Sequence, residues 1–380
     1  MADKKERWND ETPAVLIFTR LLLPLSQTFI KHHAESMFRF RPIMLAWHQS
    51  DELRMDGVTQ HIVSQTALSK ILLYYFGYSR QIAAIVRRYN IQIVHCHFAD
   101  QAVLMARFAK RQHLPLVVTL HGSDILRRRA PSAMGKFKER LTRHMVDSAA
   151  LFLPVSAWLH EQAIRLGYPR DRMRLHYLGI PLQQVGDDRR ATAVTPTILH
   201  VGRLVEKKGL LYLLEAIRIL KARGVACKVR VVGSGPLHER AENFIREHNL
   251  PVELLGAQPL ERVRDEMRAA AIFCMPSTQG DDGDNEGLGI VYLEAQSLGC
   301  PVVAFNQGPV GEAVQDGVTG ILAEDGNAED LARKLASLLE DPLLRGRLGS
   351  AGMAFVQTTF DIDKQTAKLE SLYSDVIAKR

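Results

Sequence analysis

What is scarce in these 380 residues narrows the field first. Cysteine occurs four times, at Cys96, Cys227, Cys274 and Cys300, with no CxxC pair. That spacing argues for free thiols in a reducing compartment and against a disulfide framework or a zinc site. No apolar run reaches the roughly 18 residues of a membrane-spanning helix, so none is expected. Internal repeats and low-complexity tracts are missing too, which sets repeat architectures and disordered scaffolds aside. Helix-turn-helix, zinc-finger and RNA-recognition signatures are absent, and no nucleic-acid partner is expected. Lys4, Lys5 and Arg7 precede an apolar stretch at 13–25 in the manner of a signal peptide, but Asp10, Glu11 and Arg20 interrupt it and no small-x-small cleavage site follows. A cytoplasmic protein is the expectation.

What is present is ordinary in bulk and uneven in charge. The chain is 46% hydrophobic and 24% charged, as a soluble globular protein is, and its length suits two domains better than one core. The net charge of +7 hides an asymmetry: residues 1–190 hold 28 Lys/Arg against 16 Asp/Glu, and residues 191–380 hold 21 against 26. A basic first half suits an anionic substrate or an anionic membrane surface, and charge alone also allows nucleic acid.

Along the first half, residues 14–18 (AVLIF) read as a buried strand, followed by a helix from Pro24 to about Phe38. Residues 43–47, 91–95, 116–120, 151–155 and 173–178 read as further strands. One helical stretch over 64–90 sets Leu72, Leu73, Tyr74, Tyr75, Phe76 and Tyr78 close to Lys70, Arg80, Arg87 and Arg88, which suits either a core face or a membrane interface. His95 and His97 share one face of a strand end, but a metal reading finds no third ligand at a suitable spacing. His121-Gly122-Ser123-Asp124 ends the next strand, and open α/β sheets gather ligands at such carboxyl ends. The run 125–146 carries Arg127, Arg128, Arg129, Lys136, Lys138, Arg140 and Arg143, either a solvated helix face or a surface for lipid headgroups or a diphosphate. Residues 185–196 are polar and turn-rich and read as the interdomain linker.

The second half restarts the strand–helix rhythm with strands at 197–201, 227–232, 252–255, 271–275 and 302–305, then helix over most of 328–380. Alternation of this kind implies a parallel sheet covered on both faces. Its organising stretch is 281–305. Glu286 lies in a loop at a glycine-rich helix start, Glu294 lies within that helix, and the exposed N–H groups make the helix mouth an anion site. Carboxylates beside an anion site suit a ligand with both phosphates and hydroxyls, such as a nucleotide sugar; an ordinary helix with an acidic first turn is the plain alternative. The acid cluster Asp281-Asp282-Gly283-Asp284 contains an Asp-x-Asp, but a calcium loop started at Asp282 fails at its twelfth position, Leu293. It is read as a solvated loop.

These residues carry a resemblance. GRLVEKKG (202–209), VVGSGP (231–236), EGLGIVYLE (286–294) and GVTGILAED (317–325) resemble glycosyltransferase family 4, with HGSD (121–124) and SQTFI (26–30) matching more loosely in the first half. The resemblance implies an α/β protein of the GT-B fold: two Rossmann-like domains facing across a cleft, with the C-terminal helix crossing back to the first. An acceptor-binding domain would span 1–190, joined by about 361–380, and a donor-binding domain 191–360. It implies that Arg203 and Lys208 bind the donor diphosphate. Glu286 would hold hydroxyls of the transferred sugar near the backbone of Gly287, Leu288, Gly289 and Ile290, and Glu294 the ribose. Gly202, Gly233 and Gly235 would line the donor site, and His121 would approach the donor sugar from the first domain. Ser26, Thr28, His97, His121 and Asp124 would stand on the acceptor side. Departures are a first loop without glycine and Gln27 where similar chains often have Glu.

The expected activity is a retaining transfer of a hexose, of mannose or glucose type, from a GDP- or UDP-sugar to a lipid-linked polyprenyl-diphosphate glycan in bacterial polysaccharide biosynthesis. No metal or other cofactor is expected, and the protein would work at the inner face of the cytoplasmic membrane. A soluble small-molecule acceptor is the rival within enzymes, and a non-catalytic nucleotide-sugar-binding protein the rival outside them.

Overall fold

A computed structural model describes residues 7–9, 11–22, 24, 27–50, 54–63, 66–127, 133–182, 195–280 and 283–379, with the backbone alone for 133–138. Lys4, Lys5, Ser26, Arg128, Arg129, Asp281, Asp282, most of the 185–196 stretch and the side chains of Lys136 and Lys138 lie outside the described residues. Two compact units make up the chain: Met1–Pro181 with Asp361–Arg380, and Leu182–Phe360.

The first unit is built on strands β1 (Ala14–Leu22), β2 (Arg41–Gln49), β3 (Thr59–Ile62), β4 (Ile91–His97), β5 (Leu116–Leu120) and β6 (Leu151–Pro154). All pairings are parallel, in the order β3-β2-β1-β4-β5-β6. Helices α1 (Thr28–Ser36), α2 (Ala67–Phe76), α3 (Arg80–Arg88), α4 (Ala99–Arg111), α5 (Ser123–Leu126), α6 (Ala133–Ser148) and α7 (Ala157–Arg165) connect them. The central strands read as near-continuous apolar runs because helices cover both faces, and Ala14 to Phe18 are buried without alternation.

The second unit repeats this order. Strands β7 (Thr197–Val201), β8 (Lys228–Val232), β9 (Val252–Leu254), β10 (Ile272–Cys274), β11 (Val302–Phe305) and β12 (Gly320–Ala323) pair as β12-β11-β10-β7-β8-β9. Helices α8 (Leu210–Ala222), α9 (His238–Glu247), α10 (Leu260–Ala269), α11 (Ile290–Ser297), α12 (Val310–Ala313), α13 (Ala328–Glu340) and α14 (Pro342–Thr359) complete it. Its core gathers Ile198, Leu213, Ile217, Val231, Ile272 and Leu335 between sheet and helices. Counted within each unit, both sheets run 3-2-1-4-5-6, the doubly wound order in which a crevice opens where the connections reverse direction. In the first unit that switch lies between β1 and β4; in the second it lies between β7 and β10.

Helix α15 (Ile362–Ala378) belongs to the first unit, packed on α1 and β4. Three successive backbone N–H groups, of Phe38, Arg39 and Phe40, donate to Glu370 Oε1 at 2.8, 2.7 and 2.9 Å. Buried in this way, the carboxylate replaces lost hydration with charge-assisted bonds and fastens the helix.

Two expectations need correction. Residues 173–178 do not form a strand; only Phe152 and Met173 make an isolated bridge. Arg174 N and His176 N donate to the Phe152 and Pro154 carbonyls, but the return bond would have to come from the Pro154 nitrogen, which carries no hydrogen. The single helix over 64–90 is two. Gly77 closes α2 in a left-handed conformation (φ 61°), and a Cβ there would stand 2.5 Å from the Arg107 carbonyl. Strand β3, short and polar, and strand β12, inside the GVTGILAED motif, are additions.

Candidate functional site

In the second unit the loops after β7, β8 and β10 meet at the switch. A turn of 3-10 helix (Glu206–Lys208) follows Gly202 and exposed Arg203, and it aims Lys208 at the loop after β10. There Lys208 Nζ lies 2.7 Å from Glu286 Oε1, and neighbouring Lys207 Nζ lies 2.8 Å from Asp284 Oδ2. Ser277 Oγ reaches the same Glu286 oxygen at 3.4 Å. Burial pushes the Glu286 carboxyl up, but the charges of Lys208 and Lys207 and the hydrogen bonds from Lys208 and Ser277 outweigh it, so the group stays below its ordinary range and ionised. A buried, paired carboxylate held beside a helix start is a rigid acceptor for hydroxyls.

Gly289 opens α11 with φ 85°, and a Cβ on it would come 2.4 Å from the Tyr292 ring. Tyr292 is itself buried and donates 2.8 Å to the Met275 carbonyl, so it pins the helix start to the end of β10. Gly287 and Leu288 therefore run between Glu286 and the first free N–H groups of α11, with Leu288 buried. Glu294 stands one turn further on, partly exposed; burial pushes its carboxyl up to about 7 against the opposing charge of Arg264.

The glycines after β8 serve the loops themselves. At Gly233 (φ 141°) a Cβ would stand 1.9 Å from the Gly202 carbonyl oxygen, and one at Gly235 would stand 2.5 Å from that of Leu204. Leu204 N donates to Ser234 O at 2.9 Å, which locks the two turns together. Their small size lets the β7 and β8 loops touch and so sets where Arg203 and Lys208 begin.

In the first unit the switch is lined by imidazole and phenyl rings. His97 Nδ1 lies 3.1 Å from His121 Nε2, and Phe29 of α1 covers His121 at 4.8 Å between centroids, next to Thr28. Beneath them, His95 pairs through Nδ1 with the Tyr373 hydroxyl at 2.5 Å and through Nε2 with Thr119 Oγ1 at 2.8 Å. With both ring nitrogens engaged, His95 is a scaffold rather than a ligand. Burial lowers His95 and His121 to about 3 and His97 well below its usual range, so all three rings are neutral. Of His97 and His121, one donates to the other, and the free nitrogen of each follows from that choice.

Asp124 turns both oxygens to backbone, accepting from Ala99 N at 2.7 Å and His121 N at 3.1 Å. Burial pushes it up to about 6 and the charge of neighbouring Asp100 adds to the rise, while these bonds and one from its own backbone N–H oppose it only in part. It braces the starts of α4 and α5 and so positions His121. Phe98, before α4, holds φ 73°, a conformation costing about 1–3 kcal/mol, secured by its own N–H to Thr119 O at 2.9 Å.

Thus Gly202, Arg203, Lys208, Gly233, Gly235, Glu286 and residues 287–290 share one loop cluster, with Glu294 on its helix, and Thr28, His97, His121 and Asp124 share another; Ser26 lies outside the described residues. Asp284, taken from the sequence as part of a solvated loop, is instead buried and ion-paired. Sequence reasoning also passed over Lys207, Ser277, Tyr292 and Tyr373. The doubled lysine at 207–208 facing two acids at 284 and 286 was the available signal for the first of these. Among the described residues no group of three or more His, Cys, Asp or Glu could hold a metal ion, and no helix is long and apolar enough to cross a membrane.

Comparisons with known proteins cover both units. A family profile described as Glycosyltransferase Family 4 matches residues 29–184, and one described as Glycosyl transferases group 1 matches residues 188–355. The chain is 31% identical over 275 residues to the amylovoran biosynthesis glycosyltransferase AmsK of Erwinia amylovora, covering 72% of this chain and 67% of that protein. It is 30% identical over 254 residues to the putative colanic acid biosynthesis glycosyltransferase WcaL of Escherichia coli (strain K12), covering 66% and 62%. The matched region thus spans about two thirds of the length of these curated relatives. In fold it is similar to Anabaena Alr3699/HepE in complex with UDP and glucose, at a TM-score of 0.78 and 18% identity over 96% of this chain and all of the other. Matched in sequence across both of its units and in fold across nearly its whole length, the chain belongs to glycosyltransferase family 4 and is a transferase of the two-domain GT-B fold.

Proposed function

We propose that the protein is a retaining hexosyltransferase that uses a UDP- or GDP-sugar and acts in bacterial polysaccharide biosynthesis on a lipid-linked, polyprenyl-diphosphate glycan. The observation that carries the reading is the Lys208–Glu286 pair at the switch of the second sheet, with exposed Arg203 on the preceding turn and the free N–H groups of α11 alongside. Breaking a glycosyl–phosphate bond leaves negative charge on the departing diphosphate, and cations fixed in place beforehand act where that charge develops. Lys208 and Arg203 are assigned to the diphosphate, Glu286 to sugar hydroxyls and Glu294 to the ribose. Two cations at the leaving group support a reaction without a metal.

Retention follows if the acceptor hydroxyl attacks the anomeric carbon on the face that the diphosphate leaves. The new C–O bond forms as the old one breaks, and the acceptor proton passes to a phosphate oxygen. Glu286, ion-paired and hydrogen-bonded on the same oxygen, is poorly suited to the nucleophile of a double displacement. His97 and His121 are assigned to substrate hydroxyls in the first unit, with Thr28 beside them. Relatives named for amylovoran and colanic acid biosynthesis support the polysaccharide assignment, and the UDP and glucose bound by a protein of the same fold support the donor class.

The test is hydrolysis and transfer across a panel of UDP-, GDP- and ADP-sugars with a mixed polyprenyl-diphosphate glycan extract. Turnover with one donor, lost in Glu286→Ala, is the expected result. Binding of no donor at all overturns the reading, and donor turnover with only a soluble acceptor overturns its lipid-linked part.

A further inference from the structure

Large apolar side chains left exposed in the described residues are concentrated on one helix. Four stand on the ten residues of α2: Leu68 at 65% exposure, Ile71 at 48%, Tyr75 at 46% and Phe76 at 63%. Leu68, Ile71 and Tyr75 follow helical spacing along one face, and Phe76 widens it. The opposite face is fastened. Leu73 is buried, Gly77 abuts the Arg107 backbone, and the Arg107 guanidinium donates 3.0 Å to the Tyr74 carbonyl. Both ends are capped as well, by the Thr66 hydroxyl accepting from Ser69 N and by left-handed Gly77. The helix is therefore held in place with its apolar stripe outward, and such a stripe on a water-soluble surface marks an interaction site.

Charge identifies the partner. Between Asp56 and Asp100 the chain contains no acidic residue, while Lys70, Arg80, Arg87 and Arg88 fall in that interval. Arg80 Nε donates 2.8 Å to the Tyr78 hydroxyl and the Arg111 guanidinium lies 5.5 Å over the same ring, so two cations flank the C-terminal end of α2. Lys70, on the helix itself, is exposed and stands 5.7 Å over the Trp47 ring. An apolar stripe with aromatic rings at its edge, cations on its flanks and no carboxylate in its sequence neighbourhood has the chemistry of a helix lying in a headgroup layer.

We propose that α2 is the face by which this protein lies on an anionic phospholipid bilayer. Leu68, Ile71, Tyr75 and Phe76 enter the acyl boundary, and Arg80 and Arg111 sit at the level of the phosphates. The inference takes its purpose from the lipid-linked acceptor proposed above, which would reside in the same surface. Its physical basis is independent of that acceptor.

Co-sedimentation at physiological salt tests it without donor or acceptor, comparing phosphatidylcholine vesicles with and without phosphatidylglycerol. The full chain is expected to pellet with the anionic vesicles only. Leu68→Ser/Ile71→Ser/Phe76→Ser should lower its partitioning about tenfold or more, and Arg80→Glu/Arg111→Glu should remove the part of binding that high salt also removes. Both variants should keep the far-UV circular dichroism of the parent and its nucleotide-sugar hydrolysis in the absence of lipid, because none of these residues belongs to the donor site. A parent chain that stays in the supernatant overturns the proposal, as does a triple-serine variant that pellets like the parent. Sedimentation velocity without lipid supplies the remaining outcome: a parent dimer that the triple variant abolishes would make the stripe a contact between copies and overturn it too. Vesicle failure leaves the transfer reading standing, and loss of turnover in Glu286→Ala says nothing about α2.

Discussion

At the switch of the first sheet, between β1 and β4, the strand ends carry neutral imidazoles stacked with phenyl rings; at the switch of the second, between β7 and β10, they carry a lysine and a glutamate 2.7 Å apart. Strand order is the same in both. Backbone topology has therefore chosen the place, and side chains alone have chosen the chemistry. Imidazoles kept neutral by burial exchange hydrogen bonds with hydroxyls and repel no anion, whereas a paired cluster of fixed charges suits a diphosphate and the sugar attached to it. The difference makes each unit respond to its own perturbation.

Acid should separate the units most sharply. His33, His95, His97 and His176 are all buried in the first unit, and burial lowers each of them, His95 to about 3 and His176 to about 4. A histidine depressed in the fold contributes stability that is present above its unfolded value of about 6.5 and is lost as pH falls toward the folded value, because only the unfolded chain takes up the proton. At pH 5 the loss is about 2 kcal/mol for each of His95 and His176, His33 and His97 act in the same direction, and a whole domain is stable by only about 5–15 kcal/mol. Asp124, raised to about 6, works in the opposite sense and returns about 1 kcal/mol over the same interval. The second unit buries one histidine of this kind, His200, lowered to about 4. Hydrogen exchange read by mass spectrometry at pH 7 and pH 5, corrected for intrinsic rates, should show peptides of the first unit losing protection while those of the second keep it. Equal loss in both units would break the comparison.

Charge removal should do the converse. Lys208→Ala takes away a cation proposed to meet the leaving group and strands a buried Glu286, and kcat is expected to fall about 100- to 1,000-fold, as when one oxyanion donor is lost. Circular dichroism should change little, and the decline should appear in kcat more than in KM. A smaller effect is expected on the other side. Tyr373→Phe leaves His95 Nδ1 buried without its 2.5 Å partner, at a cost of about 1–3 kcal/mol. Urea unfolding followed by exchange in first-unit peptides measures it, and a variant as stable as the parent would show that α15 is held by Glu370 and packing alone.

How much of this was legible depended on range along the chain. Parallel α/β sheets could be read from alternating apolar runs, and the GT-B fold from the family resemblance of the motifs that hold Lys208, Glu286 and Glu294, whose residues lie close in sequence. Strand 173–178 was misread because apolar residues alone cannot report that Pro154 has no N–H to give. Asp284 looked solvated because its partner, Lys207, stands 77 positions away. Tyr373 and Glu370 were invisible for the same reason on a larger scale, reaching residues 278 and about 330 positions distant. Gly233 was read as lining the donor site, and only three-dimensional packing shows the Gly202 carbonyl that excludes a side chain there.

The finest test of the comparison is a titration near neutrality, where the two units should differ in which group responds and at what pH. Glu294 is raised to about 7 by burial, while in the first unit Asp124 lies at about 6, His95 at about 3 and His176 at about 4. A ribose hydroxyl donating to Glu294 favours the ionised form, so donor binding should draw a proton off the carboxyl and strengthen as pH rises. If only the carboxylate binds, a group titrating at about 7 gives a gain of about tenfold in affinity between pH 6 and pH 8, nearly complete by the upper end. Isothermal titration of the nucleoside diphosphate in two buffers of different ionisation enthalpy measures both the gain and the released proton. Glu294→Gln should bind more weakly at pH 8 and show no slope. A slope that survives this substitution would move the titrating group away from Glu294, and a slope of opposite sign would mean that the ligand accepts a hydrogen bond from the protonated acid, so that this position binds an acceptor atom instead of a ribose hydroxyl.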